Sequence, residues 1–277
     1  MGIAPEAGLP ELRLELDRID AAMQALLIER SSVTDQVEQV KRRAGTAGSA
    51  FRPGREAEIM RMLAGRHHGS YPFDSTENIW RVIIATSTFT QVPYTVHGDI
   101  SGGDAPIRDS VRFHFGFTVP FVPVMNAETV IEAVDARPSD LGVFPLAQSS
   151  ETGAWWRLLH GDTRPKIIAR LPFVGRENHP SGMPVFVVAK PLKEAAVRDE
   201  IVGSLWLERW RSTVPDVLAA AGARIEASAG ISSGLGVLIT HAGTVSGATI
   251  VASLKKAGLA ARYDEVGSHA ASFTMPD

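Results

Sequence analysis

Seven charged or polar side chains in the first third of the sequence are of the types that hold a small dianion. Arg30, Thr34, Val37 and Lys41 are spaced by four, three and four residues. On a helix they share one face, with Arg30 and Lys41 about 20° apart in rotation and about 16 Å apart along the axis. Arg13, 17 residues before Arg30, lies about 100° around the helix from it. It is too distant to reach the same small ligand within one helix, but it can reach one from a partner chain. Ser87 and Gln91 share a face at i, i+4, and Arg55 and Glu56 open the first turn of a short helix. Guanidinium groups form two-pronged hydrogen bonds to carboxylates, and lysine or glutamine donates to an ether or carbonyl oxygen. Taken one by one, the same charges also read as solvated helix side chains. Periodicity alone leaves both readings open.

The elements that must position them are helices. From 9 to 43 no Gly or Pro follows Pro10, and Leu12, Leu16, Ile19, Met23, Leu26, Leu27, Val33, Val37 and Val40 recur at steps of three and four. Such a run makes a helix about 50 Å long, which needs another long helix or a second subunit to pack against. Ala44-Gly45-Thr46-Ala47-Gly48-Ser49 breaks it. A short helix is expected over 55–65, and a third over 76–91, capped by Asp74-Ser75 and stopped by Pro93.

Beyond Pro93 the texture becomes α/β. Strands are expected at 94–96, 118–124, 140–145, 166–171 and 184–189, and helices at 109–115 and 127–136. From about 203 the order is strand 204–210, helix 214–221, strands 223–229 and 236–240, helix 244–257 and strand 260–266. That βαββαβ order is ferredoxin-like. The expected fold is therefore multidomain: an all-α N-terminal domain (1–92), an α/β segment (93–199) and an α+β segment (200–277).

The 277 residues are 44% hydrophobic and 21% charged, and the net charge is −3. Near-neutrality removes the general electrostatic argument for a nucleic-acid or membrane-surface binder. The absence of cysteine removes disulfides, thiolate metal sites and cysteine nucleophiles, and fits a reducing cytoplasm. The N-terminus lacks a basic region followed by an apolar core, so no secretory signal is expected. Apolar runs such as 82–85 and 185–189 fall short of the roughly 18 residues of a membrane helix.

Residues 9–91 resemble the all-helical class of chorismate mutases. LRLELDRIDAAMQALLIERSSVTDQVEQVK, GREAEI and IIATSTFTQ carry that family's Arg, Arg, Lys, Arg-Glu, Ser and Gln in order at compatible spacings. The resemblance implies an intertwined homodimer that rearranges chorismate to prephenate between its helices, without metal or cofactor. It implies that Arg13, from the second subunit, and Arg30 hold the two substrate carboxylates. Lys41 and Gln91 would donate to the ether oxygen, Glu56 would take the substrate hydroxyl beside Arg55, and Ser87 would lie near a carboxylate. Asp20 matches a recurrent aspartate of structural role. One departure is Arg52, where many family members carry aspartate.

The second segment resembles a prephenate dehydratase domain through DSVRFHFG and DLGVFPLAQSSETG. Ala147 and Gln148 replace that motif's Glu and Asn, while Ser149 and Gly153 remain. HGDISGG loosely matches the glycine-rich motif, and Met183-Pro184-Val185 stands where a catalytic Thr-Arg-Phe is sought. The stretch between the motifs is short enough that most of one lobe is expected to be missing, and this half is expected to be non-catalytic. The last segment resembles an ACT domain, which implies an amino-acid effector. Pro215-Asp216-Val217 and Glu226-Ala227-Ser228-Ala229 depart from its ligand motifs.

Other signals are read plainly. His67-His68 is expected in a surface loop, 230–236 as a long hairpin loop, and Trp155-Trp156, Trp206 and Trp210 as core or interface aromatics. The leading expectation is a cytoplasmic chorismate mutase with a regulatory or structural C-terminal half. The alternatives are a bifunctional mutase–dehydratase, a non-catalytic metabolite-sensing or partner-binding protein, and an isochorismate pyruvate-lyase on the same helical fold.

Overall fold

The uninterrupted three-and-four pattern of the N-terminal stretch forms one helix, α1 (Leu9–Arg43), of 35 residues. The structure is a computed structural model that describes residues 8–43, 51–146, 153–190 and 197–275, with the side chains of Lys41 and Arg42 outside the described set. Backbone contacts divide the chain into two units, 1–47 and 48–277. The described secondary structure of the first is α1. Leu16, Met23, Leu26, Leu27, Val33, Val37 and Val40 are all exposed along it, an apolar stripe of the kind a helix buries against a partner.

The second unit begins with two shorter helices. α2 (Pro53–Arg66) starts on a proline whose fixed φ suits the first helical turn. α3 (Phe73–Gln91) begins three residues before the expected 76. Asp74-Ser75 therefore sits inside its first turn, with the Asp74 side chain accepting from the Ser75 amide at 2.7 Å, while Pro72 occupies the cap position.

Among the described residues nine strands then form one sheet. β1 (Val96–Asp99) lies between β2 (Phe121–Val124) and β3 (Leu141–Pro145), parallel to both. The connections are α4 (Asp104–Phe115) and α5 (Ala127–Ala136), the latter capped by the Asn126 side chain at the Glu128 amide. A 3₁₀ turn (Trp155–Leu159), β4 (Lys166–Leu171), a two-residue β5 (Val174–Gly175) and β6 (Val185–Ala189) follow. The expected βαββαβ appears as β7 (Glu200–Leu207), α6 (Val214–Ala220), β8 (Ala223–Ile231), β9 (Gly234–Ala242), α7 (Gly247–Lys256) and β10 (Ala261–His269). The strand order is β2-β1-β3-β6-β4-β10-β7-β9-β8.

Two features of this sheet differ from the sequence expectation. The hairpin loop expected over 230–236 is instead a tight turn, because the ladder runs to Ile231 opposite Gly234. The α/β and ferredoxin-like strands also join edge to edge, where Gly267 of β10 pairs with Ile167 of β4. A Cβ on Gly267 would stand 2.1 Å from the Ile167 carbonyl oxygen; only glycine lets the strands approach this closely.

Three apolar cores cover the sheet. One gathers Ala57 and Met60 of α2, Ile84 and Ala85 of α3, and Val111 of α4 against Val96, Leu141, Val143, Leu171 and Val187. Another places Val130 and Ile131 of α5 with Trp155 and Trp156 against Phe144, Phe186, Val188 and Leu238. The third packs Leu218 of α6 and Ile250 and Leu254 of α7 on Leu205, Val237 and Ile239. β3 and β6 are buried throughout, so they read as continuous apolar runs rather than alternating ones. A small second sheet pairs β11 (Phe273–Thr274) with β5.

Candidate active site

The buried stripe of α2 consists of Pro53, Glu56, Ala57 and Met60, and that of α3 of Phe73, Glu77, Arg81, Ile84, Ala85 and Thr88. Both follow the helical period, and both carry ionisable groups in an apolar register. Where the stripes meet, Arg81 NH1 donates to Glu56 Oε2 at 2.9 Å, with side chains only 1% and 8% exposed. Arg81 Nε lies 3.8 Å from Glu77 Oε1, one turn back on the same helix. Arg176, just after β5, donates from NH2 to Glu77 Oε2 at 2.6 Å. The Arg81 guanidinium covers the Phe173 ring at 4.5 Å and that of Arg176 covers the Phe73 ring at 5.5 Å, contacts that favour the planar cation over lysine.

Two carboxylates and two guanidiniums thus balance inside the fold. Burial pushes the Glu56 carboxyl up to about 7 against the opposing pull of Arg81. Burial, and then the charge of Glu56, also push the Tyr94 phenol upward. His114 is driven well below its ordinary value by burial, then by Arg81, His179 and Arg176, so its ring stays neutral.

The remaining expected residues fall as follows. Arg55 lies on the outer side of α2 and pairs with Glu58 at 3.1 Å, away from the buried carboxylate. Ser87 Oγ donates to the Ile83 carbonyl at 2.7 Å, and Gln91 Nε2 donates to the Ser87 carbonyl at 3.1 Å. These two therefore meet on one face of α3. Arg52 holds the cap position of α2, half-buried. On α1, Arg13 and Arg30 are exposed, and Thr34 Oγ1 donates to the Arg30 carbonyl at 2.9 Å. The Lys41 side chain lies outside the described residues.

The structure adds Glu77, Arg81 and Arg176 to this set. A signal existed for two of them, since Glu77 and Arg81 occupy the same apolar register as Ile84 and Thr88. Nothing local in sequence pointed to Arg176.

Of the dehydratase-like motif, Ala147, Gln148 and Ser149 lie outside the described residues. Near it, Ser101, Asn126, Trp155 and Leu158 line a cleft of about 380 Å³ at the carboxyl ends of β1 and β2. Met183 packs against the core just before β6. In the ferredoxin-like part, Pro215 lies in the first turn of α6 and the Glu226 carboxylate is held by Arg224 at 2.7 Å. His67 packs edge-on against Phe73 at 5.1 Å. Trp155 and Trp156 are core residues, whereas Trp210 is exposed. No helix among the described residues is long and apolar enough to cross a membrane.

These features define a protein with a helical N-terminal region followed by a mixed α/β region built on one large sheet. The family model of chorismate mutase type II matches residues 12–92, which contain all seven residues singled out from the sequence. A bifunctional chorismate mutase/prephenate dehydratase of Aquifex aeolicus is 28% identical over 148 residues, covering 52% of this chain and 40% of that protein. One from Pseudomonas aeruginosa is 26% identical over 153 residues, covering 54% and 41%. The chain thus spans about two fifths of the length of these curated relatives. Among solved structures, the prephenate dehydratase from Streptococcus mutans is similar at a TM-score of 0.41 with 14% identity, covering 65% of this chain and 98% of that one.

Proposed function

We propose that this protein is a chorismate mutase whose C-terminal half is regulatory or structural. The observation that carries this reading is the family match over 12–92, with Arg13, Arg30, Lys41, Arg55, Glu56, Ser87 and Gln91 in order inside it. In this reading 1–92 is the mutase segment, 93–199 the dehydratase-like segment and 200–277 the ACT-like segment.

The reaction is a [3,3] rearrangement, which uses no nucleophile and no proton transfer. It needs a folded substrate and stabilisation of the ether oxygen as the C–O bond breaks. Arg30, and Arg13 from a second copy of the chain, hold the two carboxylates. Lys41 and Gln91 donate to the ether oxygen, Glu56 accepts the substrate hydroxyl, and Arg55 and Ser87 complete the polar wall. The apolar stripe exposed on α1 supports a homodimer through that helix. Phenylalanine is the first effector to test at the ACT-like segment, by titration into the full chain.

A dehydratase must protonate a leaving hydroxyl. The replacement of the motif's Glu and Asn by Ala147 and Gln148, together with Met183-Pro184-Val185, supports a non-catalytic second segment. Incubating the full chain with chorismate, and separately with prephenate, tests both halves. Prephenate from chorismate, with no phenylpyruvate from prephenate, is expected. Phenylpyruvate would establish the bifunctional alternative, pyruvate from isochorismate the lyase, and dianion binding without turnover the sensing protein.

A further inference from the structure

Among the described side chains of the proposed mutase site, Glu56 is the most buried, 8% exposed, and its partner is Arg81. We propose that the α/β region serves the mutase reaction through this contact: Arg81 is a positioning residue for Glu56, and Arg176, acting through Glu77, fixes Arg81. The inference rests on the mutase reading, in which Glu56 accepts the substrate hydroxyl.

The chain of contacts is continuous. Arg81 binds one oxygen of Glu56 at 2.9 Å, which sets the rotation of the carboxylate and leaves the other oxygen's lone pairs for a ligand. Arg81 is itself held at three points: by Glu56, by Glu77 at 3.8 Å, and by the Phe173 ring at 4.5 Å. Glu77 is in turn gripped by Arg176 at 2.6 Å. Phe173 and Arg176 both come from the segment between β4 and β6, far from α2 in sequence. The frame that orients Glu56 is therefore shared: Arg81 and Glu77 come from α3, and Phe173 and Arg176, which hold them, from the dehydratase-like segment.

Stability alone is a poor account of this arrangement. A buried ion pair roughly breaks even against apolar side chains of similar size, and the surrounding contacts between α2, α3 and the sheet are already apolar. The groups facing Glu56 and Arg81 are Glu77, Arg176, Tyr94 and His114, with His179 beyond. Loss of Arg81 leaves the Glu56 carboxylate buried without a counter-charge. Loss of Arg176 frees Glu77 to draw Arg81 away from Glu56. Both changes favour the protonated form of Glu56.

The test uses the full chain labelled with ¹³C at glutamate carboxyl carbons, the Glu56 signal being assigned by its absence in Glu56→Gln. Wild type, Arg81→Met, Arg81→Lys and Arg176→Met are titrated between about pH 5 and 9, and kcat/KM for chorismate is followed over the same range. The Glu56 midpoint should rise by at least about one pH unit in Arg81→Met, and by less in Arg176→Met. The acidic limb of kcat/KM should move with it, and Arg81→Lys should return most of the way to the wild-type midpoint. Folded variants whose Glu56 midpoint and acidic limb both stay at the wild-type position overturn the proposal. If Arg81→Met fails to fold, Arg176→Met decides, because its side chain is partly exposed. A wild-type chain without turnover overturns the mutase reading instead, while the carbon titration still reports whether Arg176 and Arg81 control Glu56.

Discussion

Arg176 NH2 donates to Glu77 Oε2 at 2.6 Å across 99 residues of sequence, and Glu77 is fully buried. The contact ties the second turn of α3 to the loop after β5. It also places a guanidinium and a carboxylate behind Arg81, whose other side faces Glu56. A helix that lies within the stretch matched by the chorismate mutase model is thereby anchored, through charge, to the region that follows.

Burial gives Glu56 an unusual titration, which its pairing with Arg81 only partly offsets. Its carboxyl is raised to about 7 from an ordinary 4.5, with burial as the main cause. Between those values the folded chain holds a proton that the unfolded chain has lost. Stability from this group is therefore complete below about pH 4.5 and falls as pH rises to about 7. Activity should run the opposite way, because the ionised carboxylate is the stronger acceptor for the substrate hydroxyl proposed to meet it. We expect kcat/KM to rise through about pH 7 and stay level above it, and Glu56→Gln to flatten both profiles. Thermal midpoints and initial rates over the same pH series check this; a steep loss of activity between about pH 6 and 8 would contradict it.

The two residues proposed to donate to the ether oxygen are tested separately. Lys41→Ala and Gln91→Ala should each lower kcat by about 10²-fold or more, the scale seen when a donor to developing negative charge is removed. Arg30→Ala should raise KM as well as lower kcat, since its proposed contact exists before the bond breaks. Steady-state kinetics with chorismate decides the matter, and Lys41→Ala turnover within about twofold of wild type would remove lysine from the site.

The dimer has its own consequence. Met23 and Leu26 are exposed on α1 in the single chain, and Arg13 is proposed to act on the other copy's substrate. Met23→Glu with Leu26→Glu should shift sedimentation from dimer to monomer and abolish turnover together. A monomeric variant that keeps wild-type kcat/KM would show that no second copy contributes to the site.

Much of this architecture is legible in the sequence, for local reasons. α1 is set by a Gly-free run with a helical period, and β7 to β10 with α6 and α7 by alternation and turn residues. The parts that could not be read depend on distant partners. β5 and β11 are two residues each, too short for any period, and exist because Phe273 meets Val174. The charged pair Glu77 and Arg81 stood visibly in an apolar register, but its meaning rests on Phe173 and Arg176. The seven dianion-type residues were legible as a pattern. The burial of Glu56 and the outward turn of Arg55 follow from which side of α2 meets the core.

The junction of the sheet makes the last prediction. β10 joins β4 only where Gly267 faces Ile167, and a Cβ there would lie 2.1 Å from the Ile167 carbonyl oxygen and 2.6 Å from its nitrogen. Both atoms are backbone, so no side chain can swing aside to relieve the clash. Gly267→Ala should therefore push the two halves of the sheet apart and cost more than about 2 kcal/mol, a large effect for a single methyl group. Gly230→Ala is the control: Gly230 lies on the edge strand β8 with no atom within 4 Å of the added carbon, and it should stay within about 0.5 kcal/mol of wild type. Urea unfolding of the three chains measures the difference. Equal stabilities for Gly267→Ala and Gly230→Ala would mean that β10 and β4 are not held at this distance in solution.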